Sequence, residues 1–145
     1  MKRKPLLMLF FSILALSLAG IGIRHWLKQK QAEEKHEVAY QSALRTYTRL
    51  FKPGVHRREV EDYLRANNIK FRQMCCVNPK ESPNRRSWDD LVKIGEEEIP
   101  WVCSENNVYA AFQFTDHAEH DVKWGADDLD TLKALTIYHQ LEGCV

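Results

Sequence analysis

The side chains of this sequence with the most evident chemistry are its four cysteines, Cys75, Cys76, Cys103 and Cys144. An even number of cysteines in an exported domain favours disulfide bonds, so all four are disulfide candidates. Neighbours in a strand point to opposite faces, so Cys75 and Cys76 are predicted to take different partners, one Cys103 and the other Cys144. Which pairs with which stays open. Two alternatives remain: free buried thiols, if the domain faces the cytoplasm, and a zinc site, although no C-x2-C spacing is present.

A second reactive group lies in the run Asp116-His117-Ala118-Glu119-His120-Asp121. On a helical turn His117 and His120 would be able to face one divalent cation. A polar surface loop accounts for the same residues without a metal. Cys103 with His117 or His139 would make a thiol–imidazole pair, but no oxyanion loop or family signature accompanies it. A metal- or thiol-dependent enzyme using His117 and His120, or Cys103, is therefore the second hypothesis, and no catalytic, cofactor or metal residue is assigned.

Other signals of catalysis and of nucleic-acid binding are missing from the sequence. It has neither a glycine-rich phosphate loop nor a serine nucleophile elbow. The net charge is +1, and setting aside residues 1–23, with three of the 21 basic side chains, leaves 18 basic against 20 acidic side chains. Such a domain offers no electrostatic footprint for nucleic acid. The local charge clusters, which include Arg57, Arg58, Glu96–Glu98 and Asp127–Asp130, are predicted to form a solvated surface of mixed charge.

The N-terminus predicts a membrane segment. Three basic residues precede an uncharged, mostly apolar run from Pro5 to Ile23, roughly 28 Å long as a helix and close to the hydrocarbon thickness of a bilayer. The run continues past Ser17-Leu18-Ala19, a plausible cleavage site, and Trp26 and Lys28 follow it. An uncleaved anchor is therefore favoured over a signal peptide. With the short tail in the cytoplasm, the remaining chain would be extracytoplasmic, in the periplasm or at the cell surface.

The rest of the chain predicts a polar helical connector at 24–37 and one small domain at 38–145. Apolar residues at helical spacing from Tyr40 to Phe51 indicate a helix that ends at Lys52-Pro53-Gly54, and a second helix covers 56–67. The short break between them predicts a two-helix hairpin. Strands with alternating patterns are predicted at about 69–76, 91–95, 108–114 and 132–139.

This order of elements sets the predicted fold class. Two helices followed by strands without helices between them indicate an α+β domain, a two-helix hairpin packed on a small antiparallel sheet of three to four strands. Between the second and third predicted strands, residues 96–107 have no regular pattern. Trp101 and Cys103 predict that this segment is pinned to the core.

The stretch Leu50–Leu64, LFKPGVHRREVEDYL, resembles the helix hairpin of SmpA/OmlA-type envelope proteins, whose domains are similar to β-lactamase-inhibitor folds. The positions that match the family pattern are Gly54, Glu59, Val60 and Leu64. His56 stands where a Ser or Thr cap is usual, and no lipobox cysteine is present. The resemblance implies an extracytoplasmic protein-binding scaffold and carries no catalytic residues, and no cofactor is predicted. We therefore expect a membrane-tethered module whose partners are the bilayer, through residues 5–23, and another envelope protein.

Overall fold

The computed structural model describes residues 4–75, 77, 88–99, 101–115 and 125–144, with side chains described from residue 22 onward. In chain order the elements are α1 (Lys4–Leu50), α2 (Arg57–Ala66), β1 (Phe71–Met74), β2 (Asp89–Glu96), β3 (Glu105–Thr115) and β4 (Thr131–Glu142). The chain divides into two compact units, Met1–Val38 and Ala39–Val145. The sheet and α2 belong to the second unit.

Helix α1 runs without interruption through the predicted membrane run, the predicted connector and the first turns of the small domain. Within the described part of the chain, no helix combines the length and the apolar character that crossing a bilayer requires. The side chains of residues 4–21 lie outside that part. The membrane segment at 5–23 therefore stays a prediction.

The four strands form one antiparallel sheet in the order β1-β2-β3-β4, so each strand pairs with its neighbour in sequence. In the register of the central strands, Leu91 lies opposite Ala111, which in turn lies opposite Thr136. The sheet and the helices that precede it confirm the α+β class predicted from the order of the elements.

Helix α2 is a short amphipathic helix that places its apolar side against the sheet. Val60 and Leu64, one turn apart, are fully buried. The Glu59 carboxylate in the first turn interacts favourably with the positive end of the helix dipole. At the other end, the Asn67 side chain donates to the Tyr63 carbonyl, and Asn68 takes the left-handed conformation that ends the helix.

The larger core cluster lies on the sheet face that carries the even-numbered residues of β2 and β3. Its buried members are Phe51, Val60, Leu64, Val92, Ala110, Phe112, Phe114 and Leu132. Edge-to-face ring contacts link the C-terminal end of α1 to the sheet: the Phe112 ring centroid is 5.3 Å from that of Tyr47 in α1 and 5.9 Å from that of Phe51 just after it. A smaller cluster of Leu91, Tyr109 and Ala111 occupies the opposite face, so β3 is buried on both sides.

The turn between α1 and α2 is fastened to the start of β4. Gly54, with a φ of 95°, donates its N–H to the Leu132 carbonyl at 2.8 Å, and the Leu132 N–H donates to the Val55 carbonyl at the same distance. His56 then bridges to Thr131. These contacts position the N-terminus of α2 beside the loop that leads into β4.

Candidate functional site

A buried ionic cluster lies at the first residue of α2. The Arg57 guanidinium contacts Asp90 Oδ1 through Nη1 at 2.6 Å and Asp130 Oδ2 through Nη2 at 3.3 Å, and Nη2 also donates to the Trp88 carbonyl. Its central carbon lies 3.9 Å from the centroid of the Phe114 ring. Arg57, Asp90 and Asp130 are each at most 1% exposed. We call these five residues the Arg57 cluster.

The prediction that Arg57 and Asp130 belong to a solvated mixed surface is wrong, and the register explains why. Asp90 and Val92 share the face of β2 that is turned toward the helices, so the Asp90 carboxylate lies under the start of α2. Helix α2 has no side-chain cap at His56. Instead, the backbone N–H groups of Arg57 and Arg58 donate to carbonyls of the loop before β4, at 2.8 and 3.2 Å. This loop thereby carries Asp130 to the guanidinium.

The electrostatics of the Arg57 cluster are dominated by the removal of Asp90 from water. Burial raises the pKa of the Asp90 carboxyl to about 7, because the attraction of Arg57 is weaker than the cost of desolvation and Glu61 and Asp89 add repulsion. Among the described residues, no hydrogen-bond donor reaches Asp90 Oδ2. Since every charged member is buried, the cluster is suited to holding elements together and to taking up a proton.

Two further buried carboxylates have structural partners. Asp89 accepts the Val77 N–H at 2.9 Å and the Phe114 N–H at 3.3 Å, and Phe114 lies at the irregularity in the β3–β4 register. Asp89 thus satisfies a backbone group that the ladder leaves open there. Glu61 accepts from the Gln73 side chain at 2.9 Å and pairs with Arg65. The acidic pair Asp89-Asp90 stands at the start of an apolar strand. Because Asp is depleted in strands, this pair is the sequence signal that would have indicated buried structural roles for the two residues.

The disulfide bond Cys103–Cys144 joins residues 41 positions apart. Cys75 is disulfide-bonded as well, so it pairs with neither of these two, and Cys76 lies outside the described residues. The predicted pairing of Cys75 and Cys76 with Cys103 and Cys144 is therefore wrong. The register gives the reason: Glu105 pairs with Glu142, which brings together the residues just before β3 and just after β4. Cys75 follows β1 at the opposite end of the sheet, where Met74 pairs with Asp89.

The described residues test only part of the enzyme hypothesis. His117 and His120 lie outside the described residues. Within residues 4–75, 77, 88–99, 101–115 and 125–144, no group of three His, Cys, Asp or Glu side chains is placed to hold a metal ion. The sulfur of Cys103 is bonded to Cys144 rather than free for a thiol–imidazole pair. His139 Nδ1 lies 3.3 Å from Glu97 Oε2.

The loop between β2 and β3, residues 97–104, exposes a large aromatic side chain. Trp101 is 97% exposed and Ile99 is 52% exposed, so the prediction that Trp101 pins this segment to the core is wrong. Cys103 fixes the loop instead. The Ser104 N–H and hydroxyl both donate to the Glu142 carbonyl at 3.0 Å. We call the described residues of this loop, 97–99 and 101–104, the Trp101 loop.

The other end of the same loop is tied to the sheet. The Glu97 N–H donates to the Asn106 carbonyl at 2.9 Å, and the Asn106 side chain donates to the Glu98 carbonyl at 3.0 Å. The Tyr40 hydroxyl donates to the Glu96 carbonyl at 3.1 Å. The loop that carries Trp101 is therefore held at both ends. The run Glu96–Glu98 is the sequence signal that would have indicated the exposure of this loop, because three carboxylates beside Ile99 do not fit a buried segment.

A groove of about 260 Å³ lies at the base of the Trp101 loop, and we call it the hairpin groove. Its lining residues are Lys93, Glu96, Glu97, Ile99, Ser104, Glu105, Asn106 and Asn107. Lys93 pairs with Glu96, and this hydrogen bond raises the pKa of the Lys93 ammonium. With three carboxylates and one ammonium in its lining, the groove is acidic.

Comparison of this chain with protein-family models, with curated proteins and with solved structures gives no significant match.

Proposed function

We propose that this chain is a membrane-tethered extracytoplasmic domain that binds another envelope protein. The observation that carries the proposal is the side chain of Trp101, which is 97% exposed on a loop fixed at both ends. An indole that is exposed to water lacks the favourable free energy that burial of its apolar surface would contribute. Tryptophan is also among the residues that most often dominate the energetics of protein interfaces. A fixed loop adds to this, because little conformational entropy is lost when a partner binds it.

Several further features support the location. The bond between Cys103 and Cys144 is typical of oxidising compartments outside the cytoplasm. The apolar run Pro5–Ile23 would supply the anchor. The helices that precede the antiparallel sheet support the proposal at the level of the α+β class, and the resemblance of Leu50–Leu64 to SmpA/OmlA-type proteins implies a protein-binding scaffold.

Site-specific photo-crosslinking in intact cells tests this function. A photoreactive amino acid replaces Trp101 in one variant and Leu129 in a matched control, because Leu129 is also an exposed apolar residue of the same unit. We expect discrete protein adducts from position 101 that position 129 does not give. The same adducts from both positions, or none from position 101, would refute a binding surface at the Trp101 loop.

A further inference from the structure

We infer that the hairpin groove together with Trp101 binds an extended segment of the partner protein that carries an arginine beside an apolar residue. This inference rests on the proposed function and names the chemistry of its partner. The cationic side chain would enter the groove, and its apolar neighbour would lie on Trp101 and Ile99. Three features of the described residues support this assignment. They are the hydrogen-bond acceptors of the groove, its negative charge and the exposed apolar surface beside it.

The hydrogen-bonding groups that the groove presents are mainly acceptors. The carboxylates of Glu96, Glu97 and Glu105 accept hydrogen bonds when ionised and donate none. Lys93 pairs with Glu96, and the Asn107 amide nitrogen donates to Glu105 Oε2 at 2.6 Å, so these donors are already used within the groove. A ligand that complements the groove must therefore bring donors and positive charge.

Asn107 gives an independent indication of a ligand. This side chain is 2% exposed and lines the groove, and its Oδ1 has no hydrogen-bond partner among the described residues. A buried amide oxygen without a donor costs about 1–3 kcal/mol. This oxygen is closed off from solvent, so a guanidinium or ammonium group would supply the donor after the paired Asn107 and Glu105 side chains move on binding, and it would then face the Glu105 carboxylate as well.

The donor geometry of the cation and the apolar side of the site favour arginine and a protein partner. A guanidinium carries five N–H donors in a rigid fork, so it can bond several of the carboxylate oxygens in the groove lining at once, as an ammonium cannot. The acidic groove would repel the phosphates of anionic lipids and of nucleic acids. Ile99, which is exposed, lines the groove two residues before Trp101 and offers contact area to an apolar side chain next to the arginine.

Peptide binding to the full-length chain in non-ionic detergent micelles tests the inference. The probe is a fluorescein-labelled short peptide of alternating arginine and leucine, followed by anisotropy at physiological ionic strength. Matched peptides replace arginine by glutamate or leucine by serine. We expect the arginine–leucine peptide to bind at least about tenfold more tightly than either.

Variants of the groove locate the binding. Combining Glu97→Gln with Glu105→Gln, and separately Trp101→Ala, should each weaken binding of the arginine–leucine peptide by about tenfold or more. Glu98→Gln is the matched control, since Glu98 is a carboxylate of the same loop that does not line the groove; it should change binding less than about threefold. Circular dichroism of each variant verifies that it is folded.

Equal binding of the arginine and glutamate peptides would overturn the inference. So would equal weakening by Glu98→Gln and by the double substitution. Either result, combined with specific adducts at position 101 in cells, would leave the proposed function standing with a partner of different chemistry. Loss of the adducts would instead remove the proposed function itself.

Discussion

At the scale of single residues, Arg57 joins three parts of the chain through its buried side chain. Replacing it by methionine leaves Asp90 and Asp130 buried without their cation. We expect Arg57→Met to lower the free energy of unfolding by about 3–5 kcal/mol, the usual cost of breaking a buried ion pair by removing one partner. The measurement is chemical denaturation followed by circular dichroism.

The adjacent arginine provides the control for this prediction. Arg58 is 72% exposed, and its pair with Asp62 spans 3.9 Å at the surface. Arg58→Met should therefore change the stability by less than about 1 kcal/mol. Equal stabilities of the two variants would show that the Arg57 cluster does not hold these elements together.

Asp90 gives the protein a pH-dependent stability of predictable sign. Its folded pKa of about 7 lies above the ordinary value of 3.8, so the folded state holds the proton more tightly than the unfolded state. The contribution of this carboxyl is present at low pH and is lost as the pH rises from about 4 to about 7, by an amount on the order of 4 kcal/mol.

Asp90→Asn isolates that contribution, because asparagine keeps the shape and cannot ionise. Relative to Asp90→Asn, the unaltered protein should become less stable as the pH increases from 4 to 8, which denaturation series at several pH values would measure. A constant difference between the two proteins across this range would contradict the raised pKa.

At the scale of elements, the bond Cys103–Cys144 closes the sheet end from which the Trp101 loop projects. It encloses β3 and β4 in one covalent loop, since the two cysteines are 41 positions apart. Chain-entropy arguments for a loop of this length give a stabilisation of roughly 4 kcal/mol. The double substitution of Cys103→Ser and Cys144→Ser should lose about that amount in chemical denaturation.

A single substitution is the control for this element. Cys144→Ser breaks the same bond, so it should be nearly as destabilising as the double substitution. If the double variant unfolded at the denaturant concentration of the oxidised protein, the bond would contribute nothing to the fold.

The elements themselves were largely predictable from the sequence, whereas the surroundings of particular side chains were not. Periodicity placed α2 and β3 within a few residues, because local hydrophobic patterns encode which side of an element is buried. The burial of Arg57 and the exposure of Trp101 depend instead on contacts across 33 to 73 residues and on a disulfide. The prediction of the cysteine pairing was wrong for the same reason. The bond Cys103–Cys144 follows from the β3–β4 register, and the alternation of side chains along β1 does not reveal that register.

At the scale of the whole molecule, the thiols provide a test of the proposed extracytoplasmic location. In intact cells a membrane-impermeant maleimide should label the chain only after treatment with a reductant, because the cysteines among the described residues, Cys75, Cys103 and Cys144, are all bonded. A gel shift detects the labelling. Labelling without reductant, and only after lysis, would place the domain in the cytoplasm and refute the proposed topology.

The sequence separations within the Arg57 cluster have a consequence for biogenesis. Asp130 follows Arg57 by 73 residues. At ribosomal rates of 5–20 residues per second, about 4 to 15 seconds pass between the synthesis of the two. During that interval the N-terminus of α2 lacks the Asp130 carboxylate that pairs with Arg57. It also lacks the Asp128 and Asp130 carbonyls that accept hydrogen bonds from its first backbone N–H groups. A truncated nascent chain that ends before residue 127, and so lacks both Asp130 and β4, should therefore remain a substrate for chaperones and proteases.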